Sequence, residues 1–205
     1  MRRLPILPSI VVAAAVAIMI GLGIWQLQRA QWKERVLADY AAGAALPALD
    51  LDPIIAGGRT DLPPLAFRRV LVTCRARNVE PTLRGGRARD ARPGSGGGYA
   101  YFVPCRPGTE GLAGRLMVNA GWSPMPDGDR RVTLEGLVAG TLGPVEAGRP
   151  IILTAATAAS GLAPGVAPSI DEIPNNHLAY AFQWFLFAAA AAVIYILAVL
   201  RRGAR

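Results

Sequence analysis

The sequence predicts a membrane protein with two transmembrane α-helices at its termini and an intervening β-rich domain, an antiparallel sheet or an open, barrel-like one. Three observations predict this class. The apolar residues concentrate in two long runs, one near each end of the chain. The stretch between them alternates apolar and polar side chains in short segments. Proline and glycine punctuate the gaps, and no helical periodicity intervenes between those segments.

The first run extends from about Pro8 to Ile24 and is long enough to span if Trp25 and the flanking Leu4 to Leu7 segment contribute. Arg2 and Arg3 resemble the basic region of a signal peptide, and Ala15-Val16-Ala17 fits a cleavage pattern. That pattern lies inside the apolar run, which ends in the bulky Gly23-Ile24-Trp25-Gln26, so an uncleaved anchor is expected. Beyond it, Gln26 to Ala45 keeps helical character, with Leu27, Ala30, Val36, Leu37 and Tyr40 recurring near the period of 3.6, predicting a helix that continues out of the membrane until Gly43 and Pro47 end it. Leu49 to Pro64 reads as irregular chain. The second run, Leu178 to Leu200, carries no formal charge and makes roughly 34 Å of helix, against a hydrocarbon core of about 30 Å. The expected division is 1–26 as first span, 27–176 as helix extension and β-rich domain, 177–200 as second span, and 201–205 as a basic tail.

Charge sets the expected orientation. The formal net charge is +8, yet Arg2, Arg3, Arg201, Arg202 and Arg205 lie just outside the apolar runs, and all 14 acidic residues lie between them. Such a distribution argues against a nucleic-acid partner and for a topology signal. Arginines follow the second run while only Asp171 and Glu172 lie close before it, so both termini are expected in the cytoplasm and the central domain in the periplasm. Arg29, Lys33 and Arg35 weaken that asymmetry without reversing it. No segment of transit-peptide length precedes the first span, which points to a multi-pass protein of the bacterial inner membrane.

Five strands are expected in the domain. Arg68 to Arg77 places Val70, Val72, Cys74 and Ala76 on one face and Arg69, Thr73, Arg75 and Arg77 on the other. Tyr99 to Cys105, Arg115 to Trp122, Val132 to Val138 and Ile151 to Thr154 follow. Gly85 to Gly98 reads as a mobile loop. Cys74 and Cys105 are the only cysteines; they form no C-x-x-C, and no second histidine accompanies them, which argues against a zinc or redox centre. A disulfide and two buried thiols both fit them. The arginine-rich segment 68–92 fits either an anion-binding patch, for propionates, lipid headgroups or an acidic partner, or a solvated surface.

The chemistry-bearing stretch is Pro174 to Phe185, which opens the second run and contains the only histidine, His177. Asn175 or Asn176 is expected to cap the helix, placing His177 in its first turn at the membrane surface. The partial positive charge of that helix end favours neutral imidazole, the form that binds iron. Tyr180, Ala181 and Trp184 share its helical face at i+3, i+4 and i+7, so the face offers one ligand above two aromatic surfaces. An aromatic belt at a membrane boundary presents the same residue types. A Ser-His-Asp site has only His177 to build on and no G-x-S-x-G support. The sequence has no Walker loop, no G-x-G-x-x-G between strand and helix, and no His/Cys cluster for copper. It reads as a binding or assembly protein rather than an enzyme.

Two terminal motifs carry a resemblance. Gly21-Leu22-Gly23-Ile24-Trp25-Gln26-Leu27-Gln28-Arg29 with Trp32-Lys33, and Pro174 to Phe185 with its Asn-Asn-His-Leu-x-Tyr-Ala run before Trp-Phe, resemble the surfeit locus protein 1 family. Phe67-Arg68-Arg69-Val70, Gly98-Tyr99, Val103-Pro104, Val118-Asn119-x-Gly121-Trp122 and Val132-x-Leu134-x-Gly136 match more loosely. Ala120 stands where the family usually has Arg, and Cys74 where Gly is common. The resemblance implies an assembly factor for a haem–copper terminal oxidase, chiefly cytochrome c oxidase, that binds haem a and presents it to the catalytic subunit. His177 would then ligate the iron, and Tyr180, Trp184, Trp25 and Gln26 would complete the cofactor site. The implied partners are that subunit, other oxidase assembly or haem a synthesis factors, and membrane lipid. A scaffold that stabilises an assembly intermediate without binding haem is the alternative.

Overall fold

A computed structural model describes residues 5–57, 65–90, 97–146 and 148–202. The chain separates into two compact units, Met1–Leu37 with Ile173–Arg205, and Ala38–Glu172.

The first unit is a pair of long helices, α1 (Ile6–Ala45), whose C-terminal part belongs to the second unit, and α4 (His177–Arg202). Both are long and apolar enough to cross a membrane. Forty residues at about 1.5 Å each make α1 about 60 Å long, twice a hydrocarbon core, so the helix continues past the apolar run as expected. The helix ends at Ala45, between Gly43 and Pro47 as expected, and Leu46 N–H donates to the Gly43 carbonyl at 3.3 Å. Apolar side chains such as Ile10, Ile18, Phe182, Phe187 and Ile194 stay more than half exposed, as in a helix solvated by lipid rather than by a protein core.

The covered side chains follow a narrow line. On α1, Ser9, Val12, Val16, Met19, Gly23, Gln26 and Ala30 are buried or half-buried at alternating spacings of three and four. On α4 the same rhythm picks out His177, Ala181, Trp184, Ala188, Ala191 and Tyr195. This is the seam of an antiparallel helix pair. Ser9 Oγ meets Tyr195 Oη at 2.5 Å, and Gln26 meets His177, so numbers rise on one helix as they fall on the other. Gly23, Ala30, Ala181 and Ala188, all small, are the most fully covered positions on these lines. At Gly23 a Cβ would stand 2.5 Å from the Phe185 ring.

The second unit is a seven-stranded sheet. Its strands are β1 (Leu49–Asp50), β2 (Arg69–Val79), β3 (Thr82–Gly86), β4 (Gly98–Pro104), β5 (Leu116–Ser123), β6 (Val132–Leu142) and β7 (Ile151–Ala155). Short helices α2 (Asp52–Ala56) and α3 (Gly111–Arg115) and a 3₁₀ turn (Ile170–Glu172) complete it. The sheet order is β1-β2-β6-β7-β5-β4-β3. All five expected strands are present, and the predicted inner face of β2 (Val70, Val72, Cys74, Ala76) is buried. Three expectations need correction. The sheet is mixed rather than antiparallel, because β1–β2 and β5–β7 run parallel. Leu49 to Ala56 is not irregular but forms β1 and α2, while 58–64 lies outside the described residues. Gly85, Gly86 and Gly98 pair within β3 and β4, which satisfies backbone groups that a loop would leave to water; 91–96 lies outside the described residues.

The sheet curls until its second and penultimate strands meet. Cys74 of β2 forms a disulfide with Cys105, just past β4, and Arg75 N–H donates to the Cys105 carbonyl at 2.7 Å. That closure makes an open barrel around Tyr101, Val103, Leu116, Val118, Leu142, Ile151 and Leu153. Arg106 pairs with Asp52, which also accepts from Thr73 N–H at 3.1 Å, tying α2 to the same seam. Burial pushes the Asp52 carboxyl up, but the Thr73 hydrogen bonds and the Arg106 guanidinium outweigh it and hold its pKa below the ordinary value.

The looser middle motifs have structural work. Gly121 sits at φ 144°, where a Cβ would stand 2.7 Å from that of Leu162, and its N–H donates to Asn119 Oδ1 at 3.2 Å. The segment around Ala163 can therefore lie against β5, with Trp122 and Ala163 exchanging backbone hydrogen bonds. Ala120 points into the core with no exposure. Phe67 is buried at φ 59°, its ring 5.3 Å from that of Tyr40.

Candidate functional site

The site is built where α4 begins. The Asn176 carbonyl accepts from Tyr180 N–H at 3.2 Å, so His177 is the first residue inside the helix, as expected. Asn175 does not cap that helix: its side-chain oxygen is buried and has no hydrogen-bond partner. A buried acceptor left unmade is costly, and this one lies two residues from the only imidazole.

His177 is half-buried at the end of the helix seam. Its Nδ1 lies 2.7 Å from Gln26 Oε1. An amide oxygen can only accept, so Nδ1 carries the proton and donates. With Nδ1–H donating, the neutral tautomer is the one whose lone pair is on Nε2. A histidine whose Nδ1–H is held by an oxygen while Nε2 remains available is the form that ligates a metal, and the held bond fixes the ring orientation. The two terminal motifs, 151 residues apart, therefore meet in one hydrogen bond.

The other expected site residues distribute around this pair. Trp184 lies on the seam two turns along α4, half-buried, its ring edge-on to Phe187 with centroids 6.3 Å apart. Tyr180 flanks the seam and is half exposed. Trp25 departs from the group: it lies about 100° around α1 from Gln26, on a face that α4 does not cover, and is 53% exposed. The one feature the sequence did not signal is the orphaned Asn175 oxygen, since only the fold shows which amide finds a partner.

No curated protein matches the chain. A family model does: residues 13–189 match the SURF1 family. The match takes in the first span from Ala13, the whole sheet domain, and the second span past Trp184, so both ends of the Gln26–His177 contact fall inside it. The chain thus belongs to the SURF1 (surfeit locus protein 1) family, known for its part in cytochrome oxidase assembly.

Proposed function

We propose that the protein binds haem a at the end of its helix pair, with His177 as iron ligand, and presents it to the catalytic subunit of the oxidase under assembly. The observation that carries this reading is the Gln26–His177 hydrogen bond, which holds Nδ1 of the only imidazole and leaves Nε2 as the ring atom not engaged by Gln26. Family membership supplies the context of oxidase assembly. The residues fit the group. His177 Nε2 would hold the iron, Gln26 would hold the ring, and the unpartnered Asn175 oxygen would accept from a donor on the bound molecule. Tyr180 and Trp184 add aromatic surface along the apolar body of the macrocycle. The iron and the macrocycle belong to the cofactor, and handing it over requires no bond to be made or broken in this chain, so the protein acts as a carrier rather than an enzyme.

On this reading the protein sits in a bacterial inner membrane with both termini in the cytoplasm. Its sheet domain is periplasmic, where it meets other oxidase assembly or haem a synthesis factors. The test is to coexpress it with the enzymes that make haem a, purify it in detergent and record the visible spectrum. Bound haem a in near-stoichiometric amount is expected. Protein free of haem when haem a is abundant would leave the family's assembly role to scaffolding.

A further inference from the structure

We infer that the face of α1 turned away from α4, just beyond the apolar run, is a binding site for the headgroup of an anionic phospholipid. This stands apart from the haem reading and rests only on α1 spanning a membrane. Trp25, Arg29 and Trp32 recur at i, i+4 and i+7 and so form one stripe, about a third of a turn from the Gly23–Gln26–Ala30 seam. Trp25 is 53% and Trp32 42% exposed, and Arg29 is exposed between them.

The Arg29 guanidinium lies 3.8 Å from the centroid of the Trp32 ring. Stacking occupies the flat face of a guanidinium and leaves its N–H groups free in the plane, where a phosphate accepts two of them at once. Among the described residues, neither Arg29 nor Lys33 pairs with a carboxylate. Lys33, one turn on and half-buried towards the seam side, adds a second positive charge near the stripe, and Glu34 falls on the opposite side of the helix from Trp25.

Depth selects the ligand. The apolar part of α1, Ile6 to Ile24, covers roughly 28 Å, close to a hydrocarbon core. Trp25 then stands at its edge, with Arg29 about 6 Å and Trp32 about 10 Å further out, while the polar headgroup layer is about 5–8 Å thick. Arg29 is therefore level with lipid phosphates, the indoles bracket it at either side of that layer, and the two cations favour a headgroup with net negative charge.

The test is native mass spectrometry of the purified full chain titrated with phosphatidylglycerol or, separately, phosphatidylcholine. The wild type should retain phosphatidylglycerol in preference. Arg29→Gln should lower phosphatidylglycerol affinity about fivefold, roughly what one interfacial basic side chain contributes, and leave phosphatidylcholine unchanged. Arg29→Lys keeps charge without the planar fork and should fall between them. Arg35→Gln, beyond the headgroup layer, should behave as wild type. Equal retention of both lipids by the wild type, or full phosphatidylglycerol affinity in Arg29→Gln, overturns the site.

Discussion

At the scale of single residues, Gln26 and His177 carry the account, and they were legible to different degrees. His177 stands out in the sequence as the only imidazole, placed where an apolar run begins. Gln26 came from the resemblance alone, and nothing in the chain announces a 2.7 Å bond across 151 residues; the antiparallel seam creates it. Of the two asparagines expected at the helix start, Asn176 takes the position before His177, and Asn175 is left with an orphaned oxygen, a difference visible only once the backbone is traced. If Gln26 fixes the ring, Gln26→Leu should weaken haem retention about tenfold, at the low end for losing a second partner of a metal-bound histidine. Gln26→Glu, which still accepts from Nδ1–H, should restore most of it; retention unchanged in the leucine variant would remove Gln26 from the site. Gly23 tests the seam itself. A leucine there must displace the Phe185 ring, so Gly23→Leu should lower the melting temperature in detergent, and adding Phe185→Ala should recover much of the loss. Additive effects would mean that the two positions do not share the contact.

At the scale of elements, period-two alternation revealed β2, while β4, β5, β6 and β7 were legible as short apolar segments between Pro and Gly turns, β5 and β7 being buried on both faces. β1 has two residues and β3 ends in two glycines, so neither displays a pattern. The parallel β5–β7 pairing was hidden because β6 intervenes in sequence and no crossover helix marks it. The disulfide, open between two readings in the sequence, is resolved by the curl that brings Cys74 to Cys105. Closing a loop of that separation constrains the unfolded chain by about 3–4 kcal/mol. Cys74→Ala with Cys105→Ala should lower the domain's melting temperature by about 10 °C, and non-reducing peptide mapping should recover the joined pair from the wild type. Asp52 makes the same seam acid-sensitive. Its pKa is depressed on folding, so its contribution is present above the ordinary value of 3.8 and fades as pH falls through the lower folded value. Asp52→Asn should therefore be less stable than wild type near neutrality, and the gap should close below about pH 4 in thermal unfolding; a constant gap would assign the loss to something other than charge.

At the scale of the whole molecule, two spans flanking a sheet domain were readable from hydropathy and alternation, since lipid and core each impose a pattern of their own. The length of α1 was readable, and so was its end at Ala45, because Gly43 and Pro47 flank the point where the helix stops. Orientation rests on charge flanks. A reporter active only outside the cytoplasm should work when fused after Arg106 and be silent after Arg205; the reverse would invert the proposed topology. The central claim is that His177 ligates haem a, and the visible spectrum of His177→Ala, coexpressed with the haem a enzymes and purified beside the wild type, tests it most directly. Alanine keeps the helix and removes the nitrogen, so the variant should insert and fold normally yet lose most of its haem absorption. Full haem content with an unchanged spectrum would contradict the account.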